Sequence, residues 1–255
     1  MISKDNFLKN FSKDEMESAL KVYDSMYLAY SKDITVFTKS FLSPSIWSFL
    51  KNAIKDSNIT IDTNGGYEIC DRRIVAFNNY YGMEFPFKFI KITNKSKFNK
   101  LGHRDYLGAL MALGIEREKM GDLRVVDNYA IVPIVEELAV YVAASLTTVG
   151  KAPVYAEEVT AEEVPSSKFE ELTINVSSER LDNFIAKLSN ISRSKALDII
   201  DSGKALVNYS KVRDKSLEIN EGDIVTISGV GKFIIGQVTG STKSRKVKVS
   251  VKRYI

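Results

Sequence analysis

The chain has 255 residues, of which 44% are hydrophobic and 27% are charged, as in ordinary globular proteins. Its single cysteine, Cys70, excludes an internal disulfide, and a Ser-His or Cys-His dyad or a histidine-ligated metal would have to use the single histidine, His103. The first residues are charged and no apolar run is long enough to span a bilayer, so we expect a cytoplasmic protein.

The net charge of +4 is unevenly distributed along the chain. Residues 177–255 contain 15 Lys and Arg against 8 Asp and Glu, a balance of +7, whereas residues 1–176 have a balance of −3. This asymmetry indicates a module that binds a polyanion at one end of the chain.

Residues 1–77 are expected to form helices and a hairpin. The predicted elements are helices over residues 13–32 and 43–56 and strands over residues 59–62 and 74–77, joined through a turn at Asn64-Gly65-Gly66.

Residues 78–160 alternate between strand-like and helical patterns. We predict, in order, a strand, a helix, a hairpin, a second helix and a last strand: 85–93, 103–113, 122–126 with 129–135, 136–149, and 153–159. This β-α-β-β-α-β order predicts a ferredoxin-like, RRM-like sandwich, the frame of RNA-recognition-motif domains. Because the strand over 122–126 offers no aromatic ring, base stacking on the sheet is not favoured, and a scaffolding role stays open.

Residues 161–176 form an acidic segment in which Glu pairs flank Pro165-Ser166-Ser167, a pattern typical of a linker. We therefore predict an α+β protein of three small domains: 1–77, 78–160 and, after the linker 161–176, 177–255.

The last domain is predicted to begin with two helices. The spacing of Leu181, Phe184 and Leu188 indicates a first helix from residue 180, and Ser192 is the predicted N-cap of a second helix that ends at Gly203. Short strands are expected over residues 205–208, 216–219 and 224–227, with a tight turn at residues 220–223.

The basic residues of this domain lie at helix starts and in loops: Arg180, Arg193, Lys195, Lys204, Lys211, Arg213 and Lys215. Arg193 and Lys195 fall in the first turn of a helix, where the macrodipole disfavours cations but free N–H groups favour a phosphate. The pattern favours RNA binding, and a solvated basic surface is the alternative.

The tail alternates strictly over residues 246–252, which predicts a strand with one basic face. A basic turn precedes it, so Lys243, Arg245 and Lys246 are further candidate RNA contacts. The alternative is an edge strand that carries lysines to prevent aggregation.

These residues resemble a known RNA-binding domain. The runs that carry the resemblance are Arg180-Leu181-Asp182, residues 191–196, Gly203, Val207-Asn208 and Glu221-Gly222-Asp223. They resemble the domain of small-subunit ribosomal protein S-four, which implies two helices and a small sheet that grip structured RNA. The contact residues that the resemblance implies are Arg180, Ser192, Arg193, Lys195, Lys204, Asn208 and Lys211. Tyr209 could stack on an unpaired base or cover the sheet.

The upstream chain resembles the YlmH family of bacterial proteins, which carry the same terminal domain. The matching runs are Phe41-Leu42-Ser43-Pro44, residues 64–68 and residues 100–122. The resemblance implies binding to rRNA of the large ribosomal subunit, a role in translation quality control or rescue of obstructed subunits with peptidyl-tRNA, and a link to cell division, with tRNA as a further candidate partner. Lys100, His103 and Arg104 at the start of a predicted helix are a secondary candidate RNA contact.

Two alternatives stay open. The same terminal domain is attached to RNA-modifying enzymes, although the sequence has no glycine-rich cofactor loop. The protein could instead be an interaction partner of division proteins. We expect a monomeric, non-enzymatic protein without cofactor, metal, small-molecule substrate or membrane contact.

Overall fold

The computed structural model describes residues 2–54, 58–166, 168–242 and 245–254. The chain divides into two compact units, Met1–Ser166 and Ser167–Ile255, and each is described by itself. The sequence boundary expected at residue 77 therefore lies inside the first unit.

The first unit begins with helices and a small antiparallel sheet of order β1-β3-β2. The elements are α1 (Lys4–Leu8), α2 (Met16–Lys32), β1 (Val36–Phe37), α3 (Pro44–Ala53), β2 (Ile61–Asn64) and β3 (Ile74–Phe77). The predicted helices and hairpin are present, but the first hairpin strand begins and ends two residues later than predicted, at Ile61–Asn64. Residues 55 and 56 of the second predicted helix lie outside the described residues. Strand β3 is buried along its whole length, which explains its continuous apolar sequence.

The β-α-β-β-α-β sandwich follows. Its elements are β4 (Phe87–Asn94), α4 (His103–Ala112), β5 (Arg124–Val126), β6 (Tyr129–Val135), α5 (Glu136–Ser145), β7 (Thr148–Val149) and β8 (Ala152–Val159). They form an antiparallel sheet of order β5-β6-β4-β8-β7, and the buried side chains of Ile90, Ile92 and Val132 on one face pack with residues of α4 and α5. The predicted ferredoxin-like order is confirmed.

The opposite face of this sheet is partly covered by the N-terminal region. Tyr67 and Cys70 pack against Phe89 in a small apolar cluster. Gly66 adopts φ +87°, and a Cβ placed there would lie 2.7 Å from the Phe89 ring. Glycine is therefore required at this position both by backbone conformation and by close packing.

Helix α5 is shorter than predicted, since it ends at Ser145 instead of running to Val149. Leu146 is already extended, and β7 pairs with β8 across a turn at Gly150, which has φ +58°. The β-branched run Thr147-Thr148-Val149 followed by glycine favours a hairpin over a further helical turn.

The second unit packs two helices on a six-stranded antiparallel sheet of order β11-β10-β12-β13-β14-β9. Its elements are β9 (Phe169–Val176), α6 (Leu181–Leu188), α7 (Arg193–Asp201), β10 (Ala205–Val207), β11 (Ser210–Lys211), β12 (Ile224–Ile227), β13 (Gly231–Ser241) and β14 (Val247–Tyr254). Phe184, Ile200 and Phe233 lie in its core. The two-helices-plus-sheet architecture expected from the sequence is confirmed.

Half of the expected acidic linker is a strand. Residues 169–176 form β9, which pairs along its full length with β14. Glu170 and Glu171 lie opposite Arg253 and Lys252 in this pairing, and Arg253 forms an ion pair with Glu170 at 3.6 Å. The acidic residues thus complement the basic tail, and opposite charges across a strand pair stabilise the sheet.

The strands of this unit also differ from the prediction at residues 216–219, at β11 and at β13. Residues 216–219 form no strand of the sheet, because the backbone of Leu217 and Ile219 bonds to residues 179–181 at the start of α6. The long strand β13 has no counterpart among the predicted strands. Strand β14 lies between β13 and β9, so its lysines do not protect a sheet edge.

Candidate RNA-binding site

The starts of α6 and α7 meet around one buried carboxylate. The side chain of Asp182 is only 1% exposed, and it accepts hydrogen bonds from Arg193 Nη2 at 2.6 Å and Nε at 2.9 Å and from Arg180 Nη2 at 3.1 Å. The two arginine side chains remain 42% and 56% exposed, respectively for Arg180 and Arg193. One buried anion therefore orients two cations that still face solvent, and the three groups together carry a net charge of +1.

The pKa of Asp182 reflects this arrangement. Burial would raise the pKa of the carboxyl group, but the hydrogen bonds and charges of Arg180 and Arg193 outweigh burial and hold the pKa below its ordinary value. The carboxylate is thus ionised at neutral pH, and this anion explains why a cation is tolerated in the first turn of α7.

Ser192 is the N-cap of α7, as predicted. Its hydroxyl accepts a hydrogen bond from the backbone N–H of Lys195 at 3.4 Å, while the side chain of Lys195 is exposed. The helix ends before Gly203, which has φ +68°, in agreement with the predicted left-handed position. The capping hydroxyl therefore fixes the helix start, beside which Lys195 extends into solvent.

The other predicted lysines divide into two groups. Lys204 and Lys211 are exposed, and a Cβ at Gly203 would lie 4.0 Å from the side chain of Lys211, so both lysines lie near the end of α7. Lys215 forms an ion pair with Asp201 at 2.9 Å, and its carbonyl accepts a hydrogen bond from the backbone of Asp182. Lys215 thus links the end of α7 to the start of α6.

The side chains of Asn208 and Tyr209 both contact other residues of the second unit. The Asn208 amide donates to Asp223 at 2.8 Å and accepts from the Ile224 N–H at 3.0 Å, so it links the end of β10 to the start of β12. Tyr209 is 7% exposed, and Lys232 lies over its ring at 5.3 Å. The buried position supports the covering role of Tyr209 over base stacking.

Arg245 and Lys246 are exposed in the turn between β13 and β14, whereas Lys243 lies outside the described residues. Val247 pairs with Val176, the residue after which the chain leads into α6. This turn therefore lies at the same end of the sheet as the connection to Arg180.

The secondary candidate residues lie in the first unit. Lys100, His103 and Arg104 are all partly or fully exposed around the start of α4, where Asp105 accepts a hydrogen bond from the Gly102 N–H at 2.7 Å. They belong to a different unit from the arginine pair.

Asp182 lies in the sequence motif but is not among the predicted site residues. An acidic residue in the first turn of a helix is commonly explained by the helix dipole alone, so its sequence position does not reveal two arginine partners. Within the described ranges, no cluster of His, Cys, Asp or Glu could hold a metal ion. In the same ranges, every helix is too short or too polar to cross a membrane.

Comparisons with known proteins agree with this architecture. Residues 82–163 match the family model described as "Putative RNA-binding domain in YlmH", and residues 179–225 match the S4 domain, the S-four-type domain of the sequence resemblance. A relative from Bacillus subtilis (strain 168), named ribosome-associated protein quality control protein P2, is 30% identical over 254 residues, which cover 96% of this chain and 97% of the relative.

A solved structure, that of "Cell division protein ylmH from Streptococcus pneumoniae", superposes with a TM-score of 0.50 and 20% identity, over 61% of this chain and 97% of that chain. At this identity the likeness shows the fold alone. Both matched domains occur in the order found in YlmH proteins, and the Bacillus subtilis relative matches over almost its whole length. The chain belongs to the YlmH family and is a homologue, with RNA-binding domains, of a ribosome-associated quality control protein.

Proposed function

We propose that this protein is a cytoplasmic, non-enzymatic factor that docks as a monomer on structured rRNA of the large ribosomal subunit. The observation that carries the proposal is the pair Arg180 and Arg193, which Asp182 fixes at the starts of two packed helices while both side chains stay about half exposed. Fixed arginines lose less conformational freedom when they bind a phosphate than mobile ones do.

The lysines around α7 extend this surface. Lys195 lies in the first turn of α7, where the free backbone N–H groups also favour a phosphate. Lys204 and Lys211 are exposed near the other end of the same helix. We infer that the RNA backbone runs along α7 from Arg193 to Lys211, and that Arg245 and Lys246 contact it beyond the start of α6.

The ribosomal target is proposed from the relatives. The Bacillus subtilis relative is named as a ribosome-associated quality control protein, and the matched domain families are RNA-binding. We propose that the protein acts on obstructed large subunits that still hold peptidyl-tRNA, and that tRNA is a second partner. A link to cell division is a second candidate, which only the name of the Streptococcus pneumoniae protein favours.

Charge reversal on the exposed lysines tests the RNA-binding surface. The variant K195E/K204E should lose co-sedimentation with purified large subunits, because it places two anions along the inferred phosphate path. Arg193 is left unchanged in this variant, since removing the partner of the buried Asp182 would also destabilise the fold.

The matched control is K32E/K151E, which makes the same charge change at exposed positions of the first unit. It should co-sediment like the unaltered protein. Equal loss in both variants would indicate a general effect of net charge, and equal retention in both would refute binding along α7. Far-UV circular dichroism checks that each variant is folded.

A further inference from the structure

One end of the sheet in the first unit carries a row of aromatic side chains. Tyr129 on β6 and Tyr155 on β8 both pair with Thr93 on β4, so the three residues form one line across three strands. Because neighbouring strands lie about 4.7–4.9 Å apart, the two residues are about 10 Å from each other. Tyr155 is 49% exposed, and Tyr129 is half-buried at the margin of the apolar cluster around Tyr67.

Lysines lie directly on these rings. The ammonium group of Lys91 lies 5.1 Å from the centre of the Tyr129 ring, and that of Lys95 lies 4.9 Å from the centre of the Tyr155 ring. The arrangement places a cation and an aromatic face side by side twice on one surface.

The loop that leaves β4 continues the pattern. Phe98 is 95% exposed and stands between Lys97 and Lys100 in the sequence. Residues 88–104 contain five lysines and one arginine and no acidic residue, although residues 1–176 as a whole carry a negative balance. The backbone N–H of Lys95 donates to the Pro153 carbonyl at 3.0 Å, which holds the base of this loop beside Tyr155.

We propose that this surface, formed by Tyr129, Tyr155, Phe98 and the lysines beside them, is a second RNA site that binds unpaired nucleotides by stacking. We call it the aromatic platform. The rings take bases, and Lys91, Lys95 and Lys97 take the phosphates between them. The sequence pattern does not predict this platform, because the rings lie at the start of β6, on β8 and in a loop instead of on β5.

The charge and chemistry of the surface favour a nucleic acid strand over a protein. An exposed cation–π pair is weaker than the stacking of a base on the same ring, so an incoming base displaces the lysine, which then turns to the adjacent phosphate. Glu157 pairs opposite Lys91 and is the acidic neighbour of the platform on β8. Its replacement in E157Q should therefore tighten binding of the strand.

This inference rests on the proposed function only in taking RNA as the class of ligand, because the residues of the aromatic platform lie in the first unit and those of the α7 surface lie in the second. Its test uses the full chain and a fluorescein-labelled ten-nucleotide oligouridylate, with binding measured by fluorescence anisotropy. The variant F98S/Y155S removes two exposed rings, and its affinity should fall by about tenfold or more, since each lost stack costs about fivefold to a hundredfold. The control Y27S/Y81S removes two rings that are 54% and 90% exposed elsewhere and should bind within about twofold of the unaltered protein.

Each variant is also measured in the assay designed for the other site, which distinguishes the two proposed RNA sites. F98S/Y155S should still co-sediment with large subunits, and K195E/K204E should still bind oligouridylate within about threefold, since its charge changes lie in the other unit. The proposal would be overturned if only K195E/K204E lost oligouridylate binding, if F98S/Y155S bound as tightly as its control, or if the unaltered protein did not bind. None of these results would affect the test of the proposed function.

Photocrosslinking gives a second measurement that needs no variant. An oligouridylate with 5-iodouridine should crosslink to peptides that contain Phe98, Tyr129 or Tyr155. Crosslinks confined to residues 177–255 would overturn the platform.

Discussion

At the scale of single residues, one carboxylate organises the proposed RNA-binding surface of the second unit. Asp182 is buried, while its partners Arg180 and Arg193 are half exposed. The positions of both arginines at helix starts and the Ser192 cap are predictable from the sequence, because they follow from local spacing. The shared carboxylate is not predictable, since that contact depends on how α6 and α7 pack.

Replacing Asp182 with asparagine should lower the free energy of unfolding by about 1–3 kcal/mol, since a buried pair is broken but both cations can turn to water. The variant should also bind large subunits less tightly, because the arginines are no longer held. The control D198N removes an exposed carboxylate from α7 and should change stability by less than about 0.5 kcal/mol. Urea denaturation at pH 7 measures the free energy of unfolding of both variants, and equal stabilities of D182N and D198N would contradict the structural role of Asp182.

The ion pairs of Asp182 with Arg180 and Arg193 also predict that the stability of the protein depends on pH. The folded-state pKa of Asp182 lies below its ordinary value of 3.8, so the stabilising contribution is complete well above that pH and is lost as the pH falls through the folded-state pKa. The stability difference between the unaltered protein and D182N should therefore shrink below about pH 4. A difference that stays constant down to about pH 2 would be inconsistent with an ionised buried carboxylate.

At the scale of elements, periodicity predicts most helices and strands, and tertiary pairing decides the rest. The order of the sandwich and both helices of the second unit follow from apolar spacing and turn residues. The sequence of β9 indicates a linker because its glutamates resemble a solvated segment, and only its pairing with the basic β14 explains them. The platform around Tyr129 is hidden in the sequence for a similar reason, since its rings come together only across three strands.

Alanine substitutions at two glycines distinguish the cost of backbone strain from the cost of close packing. Gly66 and Gly150 both have positive φ, but a Cβ at Gly66 would overlap the Phe89 ring, whereas no atom lies within 4 Å of one at Gly150. Gly150→Ala should cost about 1–2 kcal/mol from conformation alone. Gly66→Ala should cost about 1–3 kcal/mol more, because the ring must move. Thermal unfolding of both variants tests this, and equal losses would show that the contact with Phe89 is relaxed without cost.

At the scale of the whole molecule, the protein consists of two compact units, for which we propose different RNA-binding surfaces. The second unit carries the arginine pair and the lysines of α7, and the first carries the aromatic platform of the sheet. We propose that the units fold independently. Composition indicates the excess positive charge in residues 177–255, but the overall balance of residues 1–176 conceals the basic run at residues 88–104.

Fragments test whether β9 belongs to the second unit. A fragment of residues 167–255 retains β9 and should unfold in one cooperative transition. A fragment of residues 177–255 lacks β9, so it exposes the edge of β14 and should be less stable or aggregate. Circular dichroism during heating compares the two. Equal stabilities would show that β9 adds nothing to the second unit.

Crosslinking of the protein to RNA in cells, followed by sequencing of the attached RNA, tests whether the second unit docks on rRNA of the large subunit. We expect rRNA of the large subunit to be enriched with the unaltered protein and with K32E/K151E, and to be lost with K195E/K204E. Recovery of the same rRNA with K195E/K204E, or no enrichment of large-subunit rRNA with the unaltered protein, would contradict the proposed docking through the second unit.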